Sequence, residues 1–134
     1  PNYVRPDPIM MQGRFSMDGF DIVPVDLPHG RMVTNGLVFE KNGRRRFAYF
    51  TDCQSVPAEA EEAARGVDVL VIDALRHTAH STHLTVQGAL EAARRIGARQ
   101  TWFIHMCHEL GHAETEASLP PDVRLAYDGL RIDV

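Results

Sequence analysis

The sequence predicts an α/β fold of the α+β kind, a β meander followed by alternating strands and helices. Three observations carry this. The turn dipeptides Asp18-Gly19 and Asn42-Gly43 each sit between alternating apolar stretches, the pattern of a β-hairpin. Val67–Ile72 is an apolar run interrupted only by Asp68, the pattern of a central strand covered on both faces. A helical stripe then leads to a second such run, Thr101–Ile104.

Taken in order, Pro1 to Pro8 holds three prolines and reads as an irregular lead-in. Ile9–Met17 is apolar enough for a strand, and Phe20–Leu27, after Asp18-Gly19, is its return. Pro28-His29-Gly30 is expected to break that strand. Met32–Glu40 and Arg45–Thr51 flank Asn42-Gly43 as a second hairpin. Pro57–Arg65 is rich in Ala and Glu and reads as a helix ended by Gly66. Asp73–Ser81 is a loop. Thr85 caps a helix over Val86–Ile96, with Leu90, Ala93 and Ile96 on one stripe and Gly97 closing it. After a loop through Pro120-Pro121, Val123–Ala126 and Leu130–Val134 are expected to form a final hairpin around Asp128-Gly129. No repeat, low-complexity tract or linker divides the chain, so residues 1–134 read as one domain.

The net charge of -4 removes any bulk-charge argument for nucleic acid or an anionic membrane. No apolar run approaches the roughly 18 residues a membrane helix needs, and no secretory leader is visible. Two cysteines, Cys53 and Cys107, make no disulfide framework; reduced thiols in a cytoplasmic protein are the simplest account.

The candidate chemistry lies at strand ends. Trp102–Ile104 is an apolar run that stops at His105, so the strand delivers an imidazole to its C-terminal end, which reads as a metal ligand. His29, Asp52 and Asp73 follow or end other expected strands in the same way. Imidazole and carboxylate converging on one rim suit Zn, Mn or Fe. Each residue also has a plainer reading. His29 before Gly30 fits a turn, and Asp52 or Asp73 fits a cap. His77, His80 and His83 fit a solvated loop, and Arg44-Arg45-Arg46 fits a solvated edge. His105, His108 and His112 fit a small structural zinc site or one face of a helical turn. Cys53 and Cys107 fit packing thiols.

The order of these signals distinguishes them. Val23-Pro24-Val25-Asp26-Leu27-Pro28-His29-Gly30 and Ala48-Tyr49-Phe50-Thr51-Asp52 are followed by Val69–Arg76, Thr82-His83-Leu84-Thr85, Ile104–His108 and Ala126–Leu130. This succession resembles the metallo-β-lactamase-fold hydrolases. It is most similar to the branch of the phosphoribosyl cyclic phosphate phosphodiesterase, with ribonuclease Z more distant. The resemblance implies an αββα sandwich, of which this chain is expected to be the C-terminal half. It implies that His29, Asp52 and His105 are metal ligands, Asp52 bridging two divalent ions (Zn or Mn) in the complete protein. It implies that His83 is catalytic, contacting phosphate or protonating the leaving oxygen. Asp73, His80, His108 and His112 are then supporting residues around the ligands.

The family's H-x-H-x-D-H loop is not found in these 134 residues. Without it the chain is expected to hold one ion or none. The expected function is that of a metal-dependent phosphodiesterase acting on a small cyclic phosphate ester. The alternatives are another ester or RNA hydrolase on the same scaffold, with RNA disfavoured for want of a basic exosite, and a non-catalytic assembly module. A half sandwich is also expected to leave an apolar sheet face for a homodimer or for the missing half.

Overall fold

The computed structural model describes residues 10, 11 and 13–134; the expected lead-in, and residues 9 and 12 of the expected first strand, lie outside them. The meander is β1 (Phe15–Met17), β2 (Phe20–His29), β3 (Met32–Lys41) and β4 (Arg44–Phe50), each antiparallel to the next. Both expected hairpin turns form. Asp18 and Gly19 have φ of 50° and 78°, and Asn42 and Gly43 have 53° and 72°. Positive φ at both central residues matches the right-handed twist of paired strands.

The remaining strands, β5 (Val69–Asp73), β6 (Gln100–Ile104) and β7 (Val123–Leu125), run parallel to β4 and to each other. One seven-stranded sheet results, in sequence order from β1 to β7. The crossovers carry α1 (Ala58–Ala64), α2 (Val86–Ile96) and α3 (His112–Ser118). At α2, Thr85 Oγ1 accepts the Gly88 amide at 3.0 Å, and Gly97 closes the helix at φ 70°. These are the cap residues expected from the sequence.

One sheet face packs on the helices. Val38, Ala48, Phe50, Leu70, Ile72 and Phe103 meet Ala60 and Ala64 of α1 and Val86, Ala89, Ala92 and Ile96 of α2, all buried. Alanine on the facing helices lets them sit close to the branched and aromatic strand residues. The opposite face is also apolar. Val69, Val71 and Trp102 are buried there against Leu130 and Ile132 of the C-terminal segment, while Tyr49 stays exposed.

Three expectations need correction. Pro28-His29-Gly30 does not break β2, because Pro28 and His29 still pair with Val33 and Met32. β1 pairs only with Phe20–Ile22, so the rest of β2 has no ladder partner on that side among the described residues. A proline there forfeits no ladder bond. The turn falls instead at Gly30, with φ of 64°. The final hairpin does not form either. Val123–Leu125 joins β6 in parallel, and Leu130–Val134 crosses the sheet face as an irregular segment. Burial of Leu130 and Ile132 on that face replaces the expected strand pairing. The loop expected before Pro120 contains α3, which has no side-chain cap; Thr115 is its buried residue.

Candidate metal centre

Because β2 and β4 are two antiparallel steps apart, and β4, β5 and β6 are parallel, the C-terminal ends of all four meet one rim. His29 ends β2, Asp52 follows β4, Asp73 ends β5 and His105 follows β6. Asp52 and His105 both adopt left-handed backbone, with φ of 52° and 63°. Positive φ is uncommon for a non-glycine residue outside a tight turn, although Asp, Asn and His adopt it more readily than others. Thr34 Oγ1 donates to the Asp52 carbonyl at 2.9 Å, tying that bend to β3. The Ala74 amide donates to the Ile104 carbonyl at 3.0 Å, and the Cys107 amide to the Leu75 carbonyl at 3.0 Å, fixing the ends of β5 and β6 together.

Ligand-type atoms of Asp52, His83 and His105 lie within 4.8 Å of one another. His105 Nε2 is 3.2 Å from Asp52 Oδ1. Two ligands about 2.1 Å from one tetrahedral ion stand roughly 3.4 Å apart, so this pair already has the spacing of a coordination edge. His83 is held from behind. Its Nδ1 lies 2.7 Å from Asp73 Oδ2, and its ring centroid is 4.6 Å from that of His105. A carboxylate only accepts, so Nδ1 carries the hydrogen and Nε2 is left for a ligand or a proton.

His29 is fixed in the same sense. Its Nδ1 donates to the Thr82 carbonyl at 2.9 Å, and its ring packs 4.8 Å from the His83 ring. A histidine tied through one nitrogen to a carbonyl presents the other, as metal-ligating histidines do. His80, exposed, packs 5.1 Å from the same ring and accepts the Thr82 amide through Nδ1 at 3.3 Å. The structure therefore brings Asp52, His83 and His105 into one group of donors, with Asp73, His80 and His29 against His83; His29 packs on the His83 ring but is not one of the three converging donors. It places His108 and His112 elsewhere: both are exposed, neither joins the group, and His112 contacts the Ala126 carbonyl at 3.4 Å.

Asp73 has no solvent exposure. Burial pushes its carboxyl above the usual range, against the pull of His83 and the Cys53 amide, which donates to Oδ2 at 3.0 Å. Burial, with Asp73 and Asp52 nearby, pushes the Cys53 thiol up to about 12, so it stays a neutral packing group. Residues that sequence reasoning missed are Thr34 and Thr82, whose hydroxyl and carbonyl hold Asp52 and His29. Thr34 carries no sequence signal, and Thr82 stands in a recognised motif without its role being legible, because both contacts cross the fold.

The sequence model of the family described as "Beta-lactamase superfamily domain" matches residues 2–106. The chain belongs to this family. Its solved neighbours include a diphosphatase from the PhnP family, 35% identical with a TM-score of 0.85, over 93% of this chain and 47% of that one. Zinc-bound PqqB from Methylobacterium extorquens superposes with a TM-score of 0.72 at 19% identity, over 94% of this chain and 55% of that one. Among curated proteins, an octanoyltransferase of Porphyromonas gingivalis (strain ATCC BAA-308 / W83) is 30% identical over 118 residues, 87% of this chain and 23% of the relative. This beta-lactamase superfamily chain thus spans about half the length of the diphosphatase and under a quarter of the octanoyltransferase. Its fold is a hydrolase fold of the metallo-β-lactamase type, and the imidazole and carboxylate donors at the rim fit a divalent metal. Among the described residues no helix is long and apolar enough to cross a membrane.

Proposed function

We propose that this chain carries one side of the metal centre of a phosphodiesterase that opens a small cyclic phosphate ester. The observation behind it is the convergence of Asp52, His83 and His105 within 4.8 Å at the strand-end rim. The 35% identity to a diphosphatase supports chemistry at phosphorus.

In this reading His29, Asp52 and His105 would hold the metal, Zn or Mn, with two ions in the whole protein. Bound there, the metal supplies Lewis acidity and a water acidified towards neutrality. The chain's own residues do the rest. Asp73 accepts from Nδ1 and so orients the His83 ring. His83 then gives the Nε2 proton to the departing oxygen, and its charge offsets the negative charge building on the phosphoryl oxygens. His80 and the Thr82 backbone keep the histidine cluster in register. The outer face around exposed Tyr49 is where a second copy, or the other half of the protein, would pack.

A second reading follows from the octanoyltransferase relative: hydrolysis of an acyl ester or thioester on the same rim. One assay separates the two. The full-length protein, loaded with Mn²⁺ or Zn²⁺, is incubated with a five-membered cyclic phosphodiester and followed by phosphorus NMR. Ring opening that EDTA abolishes and added metal restores is the expected result. Turnover of an acyl thioester with no ring opening overturns the first reading in favour of the second.

A further inference from the structure

Thirteen of the chain's fourteen basic residues are arginine, and six of them gather at the end of the sheet opposite the metal rim. Arg44, Arg45, Arg65 and Arg99 line a cavity of about 380 Å³ there. β4 is seven residues long, so its start and the metal rim are roughly 20 Å apart.

The charges in this corner do not balance. Asp68 alone faces three guanidinium groups: Arg46 Nη1 at 2.7 Å, Arg44 Nη2 at 3.3 Å and Arg99 Nη1 at 3.3 Å. Glu40 faces two more, Arg14 at 2.8 Å and Arg45 at 3.7 Å. Arg14 also reaches Asp21 at 3.6 Å, so five guanidinium groups share three carboxylates, an excess of two positive charges in a chain whose net charge is -4. Arg65 lines the same cavity while pairing with Glu62 at 2.7 Å. A purely structural ion-pair network approaches one carboxylate per guanidinium, because surplus like charge repels. Four arginines, Arg44, Arg45, Arg65 and Arg99, against the two carboxylates Glu40 and Asp68, line this open space. Gly43 and Gly66 also line it, and a Cβ at either would meet nothing within 4 Å, so its mouth is unobstructed.

We propose that this arginine corner binds a small phosphate-bearing anion, at a site separate from the metal rim. Guanidinium forks match phosphate oxygens two at a time, which a lysine patch would not do. A multiply charged phosphate also meets the two-charge surplus better than a single carboxylate would. Asp68 Oδ1 bridges Arg44 and Arg99, at 3.3 Å from each, and so holds both guanidinium groups at the cavity.

The test uses inorganic diphosphate, titrated calorimetrically into EDTA-treated protein so that metal at the rim does not compete. The expected result is saturable binding that weakens as salt is raised and that is unchanged in His105→Ala. Binding is expected to weaken about tenfold or more in the Arg44→Gln, Arg99→Gln double variant, which loses two charge-assisted bonds. No saturable binding to the wild type overturns the proposal. So does binding lost in His105→Ala but kept in the arginine variant, which would place the anion at the rim. Should the double variant fold poorly, amide NMR of the wild type decides. Shifts at Gly43 and Gly66 on adding diphosphate support the site, and shifts confined to Asp52 and His105 exclude it.

Discussion

His83 Nδ1 stands 2.7 Å from Oδ2 of Asp73, a carboxylate with no solvent exposure that also accepts the Cys53 amide. The second oxygen, Oδ1, has no hydrogen-bond partner among the described residues. A buried, half-satisfied carboxylate behind a rim histidine is poor design for stability alone. Its raised pKa fixes the sign. Such a group favours folding below its unfolded value of 3.8 and loses that contribution as pH rises through the folded pKa. Ionising Asp73 therefore carries a cost, and as pH falls its link to His83 weakens at a higher pH than an exposed aspartate's would. Asp73→Asn is expected to reduce metal-dependent turnover about 10–100-fold, the usual effect of removing such a support. The thermal midpoint is expected to move little, because the lost bonds are offset by removal of a buried charge. A large drop in midpoint, with full activity per folded molecule, would show that Asp73 serves packing only.

His83 itself separates two roles. His83→Ala is expected to lower turnover at least about tenfold while His29, Asp52 and His105 retain the metal. Metal content by atomic emission is the check. Loss of metal in step with loss of activity would make His83 a ligand, a role that its position in the group of three donors also allows.

Much of this was legible in the sequence because it depends on local chemistry. Asp18-Gly19 and Asn42-Gly43 announce turns that need positive φ, and Thr85 and Gly97 announce the ends of α2. His29, Asp52, Asp73 and His105 stood out because each closes an apolar run, and parallel strands bring such ends together. What stayed hidden depends on long-range packing. Leu130–Val134 alternates like a strand, yet its apolar side chains are taken up by the sheet face over Val69, Val71 and Trp102. α3 is short and lacks a side-chain cap, so nothing local marks it. The arginine corner joins residues from β4, the end of α1 and the approach to β6, and only the Arg44–Arg46 run hinted at it.

Gly30 is expected to be irreplaceable. Its φ is +64°, and a Cβ there would lie 2.7 Å from Thr82 Cγ2. Thr82 is also the residue whose carbonyl holds His29. Gly30→Ala is expected to cost about 1–3 kcal/mol from backbone strain and to weaken metal binding by displacing that carbonyl. Adding Thr82→Ser removes the methyl clash but not the strain, so it should restore metal affinity more than stability. Parallel recovery of both in denaturant melts and metal titrations would refute this division.

Cys53 gives a pH dependence of definite sign. Its thiol is raised from 9.0 to about 12 in the folded protein. Above pH 9 the unfolded chain loses this proton while the folded chain keeps it. Stability then falls with rising pH, by up to about 1.4 kcal/mol per unit from this group alone. Cys53→Ala leaves a small cavity and is expected to be less stable than the wild type at pH 7. The gap should narrow steadily from pH 9 upwards. A constant gap in urea melts between pH 7 and 10.5 would show that the thiol titrates freely in the native state.

Asp52 and His105 trade stability for position. Both hold left-handed backbone, and their mutual contact joins side chains 47% (Asp52) and 42% (His105) exposed, so it contributes little. Asp52→Gly or His105→Gly relieves strain of about 1–3 kcal/mol. The added freedom of glycine in the unfolded chain costs about 0.4–1 kcal/mol. The first effect is larger, so each variant is expected to melt a few degrees higher than the wild type. The melts are run with EDTA, since bound metal would stabilise the wild type selectively. His108→Gly is the control: His108 is not among the positive-φ residues, and this variant is expected to melt lower. Metal binding should be lost in the Asp52 and His105 variants and kept in His108→Gly. If all three melt lower than the wild type, the bends at Asp52 and His105 are relaxed rather than strained, and a different reason must be found for histidine and aspartate where glycine fits best.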